Sequence, residues 1–193
     1  MTYYIDFDNT LFNTVDFYND LEIIMKKSGI TDEMINEYNR DNKLFSPIEI
    51  VNYCIEKYGI NSEILEKINN HFKKACDYKY DDIYDFLTNI KSNENKLVLL
   101  TYGDYLYQNL KIINSGLLKY FDDVIITEKE KDTLKLDFSS SIFVDDNPDV
   151  ILKLLLKKPL KIIRIKRENN KYSSVVINNS IVSEYSNFKD IIC

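Results

Sequence analysis

The sequence predicts an α/β fold with a Rossmann-like, mainly parallel sheet flanked by helices. One observation is a set of five short apolar segments that resemble buried strands: 3–7, 97–101, 124–127, 142–144 and 162–165. Helical patterns separate several of these segments, as is typical of right-handed βαβ crossovers. In addition, a long stretch without a convincing strand follows the first segment, which predicts an all-helical cap inserted after the first strand.

Length and composition restrict the class of protein. The 193 residues suffice for one core, or for one core with a small insert. The net charge of −6 argues against nucleic acid as a partner, because phosphate backbones attract cationic surfaces. No apolar run reaches about 18 residues and we see no signal peptide, so we expect a cytoplasmic protein without a membrane partner. Cys54, Cys76 and Cys193 are widely spaced and fit reduced thiols.

The helices of the stretch between the first two strands can be delimited from the sequence. Apolar residues from Phe17 to Met25 share one helix face, and Gly29 can end that helix in the left-handed conformation. The tetrapeptide 46–49 (Ser-Pro-Ile-Glu) is a capping-box pattern with proline at the first helical position, and Gly59 ends that helix.

Two further apolar stripes, within 64–75 and 83–90, predict two more helices. We assign the second stripe to the core, as the crossover into the second strand. The predicted domains are therefore a catalytic core, 1–12 and 80–193, and a helical cap, 13–79. Because the insert begins where an open α/β sheet has its ligand site, we favour a lid over a bundle that only supports the sheet.

Polar residues follow four of the predicted strands. They are 6–10 (Asp-Phe-Asp-Asn-Thr), 101–103 (Thr-Tyr-Gly), a lysine at 131 with Lys129 as the alternative, and 145–148 (Asp-Asp-Asn-Pro). The carboxyl ends of parallel strands meet at one edge, so we expect these residues to lie together. Asp6 and Asp8 repel each other unless a cation or a shared proton compensates. The pattern favours a Mg²⁺ site beside a nucleophilic carboxylate.

Two of these segments also predict helix starts. Asn147 is placed to cap the next helix, with Pro148 at its first position. Asp104 is interpreted as the N-cap of a helix from 105 to 114, and not as a ligand. Gly103 would let the backbone approach an anion.

The order and spacing of these segments resemble the haloacid dehalogenase superfamily over nearly the whole chain. Its first motif is matched by Asp6, Asp8 and Thr10, its second by Thr101, its third by Lys131 and its fourth by Asp145 and Asp146. The helical insert lies where that family has its C1 cap. The connection between the third and fourth strands is shorter than is usual in that family, so Lys129 remains an alternative for the lysine of the third motif. We prefer Lys131, because it precedes apolar residues that could seat a turn.

The resemblance implies catalytic roles for two aspartates. Asp6 would attack a phosphoryl group and form an aspartyl-phosphate. Asp8 would act as general acid on the leaving oxygen and then as base on the hydrolytic water. Dehalogenase members lack an acid at the second position, because a halide leaving group needs no proton. Asp8 therefore favours phosphoryl transfer.

The resemblance also implies a phosphate site and a metal site. Thr101 and the amides near Tyr102 and Gly103 would hold phosphoryl oxygens, and Lys131 would neutralise the charge on the nucleophile and the phosphate. The Mg²⁺ ligands would be the side chain of Asp6, the backbone carbonyl of Asp8 and the side chain of Asp146, with Asp145 binding directly or through water.

Together these features predict a Mg²⁺-dependent phosphatase acting on a small phosphate monoester of the nucleotide or sugar phosphate class. The alternatives are a phosphomutase of the same fold and a non-catalytic regulatory or binding protein that retained the fold. We expect a monomer or a homodimer whose partner is a small phosphorylated substrate. The basic residues between 153 and 171 could instead bind nucleic-acid ends, but we interpret them as a solvated edge. His71 is expected to be a partly exposed helix residue.

Overall fold

The computed structural model describes residues 1–42, 44–168 and 170–191. They form one sheet of six parallel strands in the order β3-β2-β1-β4-β5-β6. The strands are β1 (Thr2–Ile5), β2 (Lys96–Tyr102), β3 (Asp123–Thr127), β4 (Ser141–Asp145), β5 (Lys161–Ile165) and β6 (Val182–Tyr185). The predicted fold class is confirmed. The sixth strand was not predicted, because its residues are half-buried at the sheet edge and form no apolar run.

Seven α-helices occur in the described ranges. They are α1 (Thr14–Lys27), α2 (Asp32–Asp41), α3 (Pro47–Tyr58), α4 (Glu63–Phe72), α5 (Ile83–Ser92), α6 (Tyr105–Ser115) and α7 (Pro148–Leu155). Five of them lie between β1 and β2, where the described residues form no strand, as predicted. Four of these five helices were predicted, and α2 was not. Within the described part of the chain, no helix is both long and apolar enough to cross a membrane.

Alternate residues of the central strands pack on opposite faces of the sheet. Leu99 and Val144 belong to the larger apolar cluster, whereas Leu100 and Phe143 pack with Ile151 of α7. This alternation is the period of two expected of a strand, and both of its faces are apolar because helices cover both sides of the sheet. The carboxyl edge of the sheet remains for the site.

Most of the predicted helix ends are confirmed, but the capping box is not formed. Asp104 and Asn147 cap α6 and α7 with their side chains, and Gly59 ends α3 with φ +70°. Ser46 precedes α3 but makes no side-chain cap; its hydroxyl instead donates to a carboxylate oxygen of Asp104 at 3.0 Å. A charged acceptor gives the stronger hydrogen bond, and this one joins the helical stretch to the loop after β2.

The two chain segments that join α1–α4 to the sheet run side by side. The amide of Asn13 donates to the carbonyl of Tyr78 at 2.7 Å, and that of Tyr80 donates to the carbonyl of Leu11 at 3.1 Å. These pairs lie at the predicted limits of the cap, 13 and 79. The division into cap and core stays a prediction.

Two arginines of the basic segment are buried, so the prediction of a solvated edge is wrong at these positions. Arg164 is fully buried and pairs with Glu184 at 2.6 Å. Arg167 donates to both carboxylate oxygens of Asp82 at 2.7 and 2.9 Å and to the carbonyl of Thr10 at 2.9 Å. The guanidinium fork can satisfy several acceptors at once, which allows these charges to be buried.

His71 is also more buried than predicted, at 5% exposure. Its Nε2 donates to the carbonyl of Phe17 at 2.9 Å, and its ring lies 4.3 Å from that of Phe17. Burial lowers the pKa of His71. Cys54 is buried and Cys76 exposed, both as free thiols, whereas Cys193 lies outside the described residues.

Candidate active site

Three carboxylates converge where β1 and β4 end. Asp6 directly follows β1, and its amide donates to the carbonyl of Val144 at 2.9 Å. Asp145 is the last residue of β4 and Asp146 follows it. All three are buried, and each offers an oxygen within 4.8 Å of the others. The strands are adjacent and parallel, so their carboxyl ends bring the side chains to one point beside the reversal of strand order.

The charge of this cluster requires compensation. Burial raises the pKa of Asp6 to about 7, with further contributions from Asp145 and Asp8. Burial also raises the pKa of Asp146 well above its usual range, together with the charges of Asp6 and Asp145. Oxygen-only donors that repel one another fit a hard divalent cation.

Lys131 is the ammonium that the structure places against this cluster. Its Nζ lies 2.5 Å from Asp6 and 2.7 Å from Asp145, and its side chain is buried. Burial works against its charge, but the two carboxylates raise the pKa of Lys131. Lys129 is exposed and contacts Thr127 only through hydrogen bonds of its own backbone. Of the two predicted lysines, Lys131 is therefore the one in the cluster.

Asp8 lies in a separate set of contacts. Thr14 and Lys111 donate to its Oδ1, and Nε2 of Gln108 donates to its Oδ2 at 2.7 Å. Burial works to raise the pKa of Asp8, but Lys111 and the other donors lower it. The side chain is not part of the three-carboxylate group. The general-acid role and the backbone metal contact of Asp8 stay predictions.

The residues predicted to bind phosphate are divided between two cavities. Thr101, Tyr102 and Lys131 line a cavity of about 450 Å³ together with the carboxylates. The hydroxyl of Thr101 is fully buried and has no hydrogen-bond partner among the described residues. Gly103 lines a neighbouring cavity instead. It has φ +147°, and a Cβ at this position would lie 2.7 Å from Nε2 of Gln108.

Four residues with contacts to the aspartates were not predicted. Asn170 donates to Asp146, and Thr14, Gln108 and Lys111 donate to Asp8. The sequence does hold a signal for one of them, because Lys111 lies four residues after Tyr107 on the buried face of α6. Asn170 follows β5 in an irregular segment, where no periodicity indicates which side chains turn inward.

A family comparison agrees with this arrangement. The family model for haloacid dehalogenase-like hydrolases matches residues 4–151, which is more than half of the chain. The chain belongs to the haloacid dehalogenase-like hydrolase family. Comparison with curated protein sequences gives no match.

Solved structures of haloacid dehalogenase-like proteins share the fold. A hydrolase from Burkholderia xenovorans superposes with a TM-score of 0.76 at 16% identity, covering 98% of this chain and 93% of that one. YfnB from Bacillus subtilis, bound to magnesium, superposes with a TM-score of 0.62 at 15% identity, covering 97% of this chain and 95% of YfnB. A phosphatase from Thermococcus onnurineus superposes with a TM-score of 0.62 at 17% identity, covering 97% of this chain and 94% of the phosphatase. At these identities the likeness shows the fold of the family and not the substrate.

Proposed function

We propose that this family member is a Mg²⁺-dependent phosphatase that hydrolyses a small phosphate monoester through an aspartyl-phosphate intermediate. The observation that carries the proposal is the composition of one cavity at the carboxyl edge of the sheet. It combines three buried carboxylates, one buried ammonium and one buried hydroxyl that has no partner among the described residues. A phosphate dianion beside a carboxylate nucleophile requires this combination of cationic and donor groups.

The binding groups follow from the donor types. Asp6, Asp145 and Asp146 would hold Mg²⁺, which supplies neutralisation of the carboxylates and of the phosphate oxygens when bound. The buried hydroxyl of Thr101 donates to a phosphoryl oxygen, as does the ammonium of Lys131.

In the reaction, a carboxylate oxygen of Asp6 attacks phosphorus while the ester P–O bond breaks and the alcohol leaves. Water then attacks the aspartyl-phosphate, which releases inorganic phosphate and restores Asp6. A phosphate dianion bound beside Asp8 would favour its protonated form and so oppose the effect of Lys111 on its pKa. Asp8 then gives this proton to the leaving oxygen in the first step and takes one from water in the second. The Thr14 hydroxyl can donate or accept, so it can stay bonded to Asp8 in both protonation states.

A carboxylic acid at position 8 favours phosphoryl transfer within this family. A halide leaves without a proton, so dehalogenation does not require an acid at position 8. An alkoxide leaving group requires a proton, which Asp8 can supply. A phosphomutase needs the same residues, and the ability of water to accept the phosphoryl group distinguishes the two. We further propose that residues 13–79 form the cap, because Thr14 and Phe45 line the cavity next to Asp8.

Hydrolysis of p-nitrophenyl phosphate tests this proposal. We expect Mg²⁺-dependent release of inorganic phosphate, its loss with EDTA, and a decrease of at least about 10³-fold in Asp6→Asn. Asp149→Asn is the matched control, because Asp149 lines the same cavity but is exposed. Turnover no higher than that of Asp6→Asn would contradict the proposal and favour a binding protein.

A further inference from the structure

A second cavity of about 710 Å³ adjoins the carboxylate cavity. Asp8 and Tyr102 line both, so the two spaces meet at the group that we assign to proton transfer. The walls come from α1, from Leu44 and Phe45, and from α6. This volume is typical of a site for a small organic molecule.

We propose that this second cavity binds the leaving group of the substrate, and that the leaving group is an uncharged aromatic alcohol with a hydrogen-bond donor. The inference rests on the proposed phosphatase function and narrows its substrate class. It differs from the nucleotide or sugar phosphate class expected from the sequence.

The aromatic preference follows from the side chains of the walls. The rings of Tyr18 and Phe45 lie 5.1 Å apart at 81°, and those of Phe45 and Tyr107 lie 6.1 Å apart at 82°. Val15 and Leu44 add aliphatic surface. Edge-to-face rings leave faces and edges for a further aromatic ring. Val15, Leu44 and Phe45 offer no hydrogen-bond partners to the hydroxyls of a sugar, which would lose water on this side of the cavity.

The charge of the cavity argues against a second anionic group on the substrate. Among the described lining residues, Asp8 and Lys111 are the only charged ones, and they form an ion pair with each other. Lys111 is fully buried and its ammonium is already paired with Asp8, so the described lining holds no unpaired cationic group for a ligand anion. The cavity therefore fits the uncharged part of a monophosphate better than a bisphosphate or a nucleoside diphosphate.

Gln108 indicates the donor on the ligand. Its Nε2 donates to Asp8 at 2.7 Å and to the carbonyl of Tyr102 at 3.0 Å, and these two acceptors fix the orientation of the amide. Its Oε1 is buried and has no partner among the described residues. A ligand N–H or O–H would satisfy this oxygen.

Four phosphate esters test the substrate class with Mg²⁺ present: 3-indolyl phosphate, 1-naphthyl phosphate, glucose 6-phosphate and adenosine 5′-monophosphate. The indolyl ester has a ring N–H, which the naphthyl ester lacks. We expect kcat/KM to fall about fivefold from the indolyl to the naphthyl ester, and about 100-fold further to glucose 6-phosphate. A higher kcat/KM for glucose 6-phosphate or the nucleotide overturns the aromatic assignment and leaves the phosphatase intact. An indolyl ester no better than the naphthyl ester overturns the role of Gln108.

Binding of 1-naphthol to the metal-free protein, measured by calorimetry, tests the cavity without turnover. Phe45→Ala and the cavity-filling Val15→Trp should each weaken binding about tenfold. Tyr58→Ala is the control, because this exposed tyrosine of α3 does not line the cavity. Equal affinity in Phe45→Ala, Val15→Trp and wild type overturns the inference. Naphthol binding without hydrolysis of any ester supports the cavity and contradicts the proposed phosphatase.

Discussion

Lys111 of α6 donates a hydrogen bond to the carboxylate of Asp8 from a fully buried position, whereas the Asp8 side chain is 23% exposed. The Lys111 ammonium lies 4.3 Å from the centre of the Tyr107 ring and close to two phenylalanine rings. The two partners are therefore unequal. The carboxylate of Asp8 also binds Thr14 and Gln108 and is partly exposed to water, whereas the ammonium of Lys111 is shielded from water and depends on Asp8.

We predict that Asp8→Ala destabilises the protein by about 3–5 kcal/mol, because it leaves the buried ammonium of Lys111 uncompensated. Lys111→Met should cost only about 1–2 kcal/mol, since Asp8 keeps Gln108 and Thr14. The double variant should be more stable than Asp8→Ala. Urea unfolding measures all three. Lys26→Met, in an exposed ion pair, is the control and should leave the stability close to that of wild type. Equal costs for the two single variants would contradict this account.

Replacing Thr101 should separate stability from activity. Its hydroxyl is buried and has no partner in the part of the chain that the structure describes. Thr101→Val therefore removes an unsatisfied group at nearly constant shape and should stabilise the protein by about 1 kcal/mol. The same change removes a proposed phosphate donor and should lower kcat/KM by about 10- to 100-fold. Urea unfolding and hydrolysis of p-nitrophenyl phosphate measure the two effects.

Thr127→Val is the matched control for this prediction. The hydroxyl of Thr127 accepts from the amide of Lys129 at 3.0 Å and donates to its carbonyl at 3.1 Å. Its loss should therefore destabilise the protein by about 1 kcal/mol. If Thr101→Val destabilises as much as Thr127→Val, the hydroxyl of Thr101 has a structural role.

The carboxylate cluster was predictable because it depends only on strand ends. Asp6 and Asp145 follow apolar runs, and parallel strands place the residues after such runs at a common edge. The lysine was harder to assign, because a short irregular connection has no periodicity to show whether Lys129 or Lys131 turns inward. In the fold, Lys131 is the one of the two that is buried between two carboxylates.

The surroundings of Asp8 could not be predicted in the same way. Gln108 and Lys111 reach Asp8 across about 100 residues of sequence, and their contacts depend on how α6 is rotated against the sheet. Ser46 also could not be predicted from local sequence. Its hydroxyl donates to the carboxylate of Asp104, a stronger acceptor, instead of capping α3 as the local pattern predicts. Local signals predict elements, whereas competition between acceptors is decided by tertiary contacts.

Metal binding should reverse the stability effect of Asp146→Asn. Without metal, we expect this variant to gain about 1 kcal/mol in free energy of unfolding, because the amide no longer repels Asp6 and Asp145. The amide oxygen can still accept the hydrogen bond from Asn170. Wild type should gain about 2.7 kcal/mol at a Mg²⁺ concentration 100 times Kd, and the variant much less. Thermal unfolding in EDTA and in Mg²⁺ measures both. Asp149→Asn, at an exposed position, should keep the Mg²⁺ effect of wild type.

His71 should make the protein sensitive to acid. Burial lowers the pKa of His71, so the unfolded chain binds the proton more readily than the folded one. The stabilisation is present above the unfolded pKa of about 6.5 and is lost as the pH falls through the folded value. We expect His71→Gln to cost about 1–2 kcal/mol at pH about 7.5 and less at pH about 5.5, measured by urea unfolding. Asn69→Gln, exposed on the same helix, should follow the wild-type pH profile.

Gly103→Ala should damage the surroundings of Asp8 through a steric contact. The new Cβ would lie 2.7 Å from Nε2 of Gln108, the atom that donates to Asp8, and φ is +147°. We expect a loss of about 2 kcal/mol of stability and of about 10-fold or more in kcat, because Gln108 must move away from Asp8. Gly59→Ala separates backbone strain from steric contact: its φ is +70°, but no atom of the described residues lies within 4 Å of the added Cβ. It should cost only about 1 kcal/mol and leave kcat unchanged. Unchanged kcat in Gly103→Ala would show that Gln108 does not position Asp8 for the reaction.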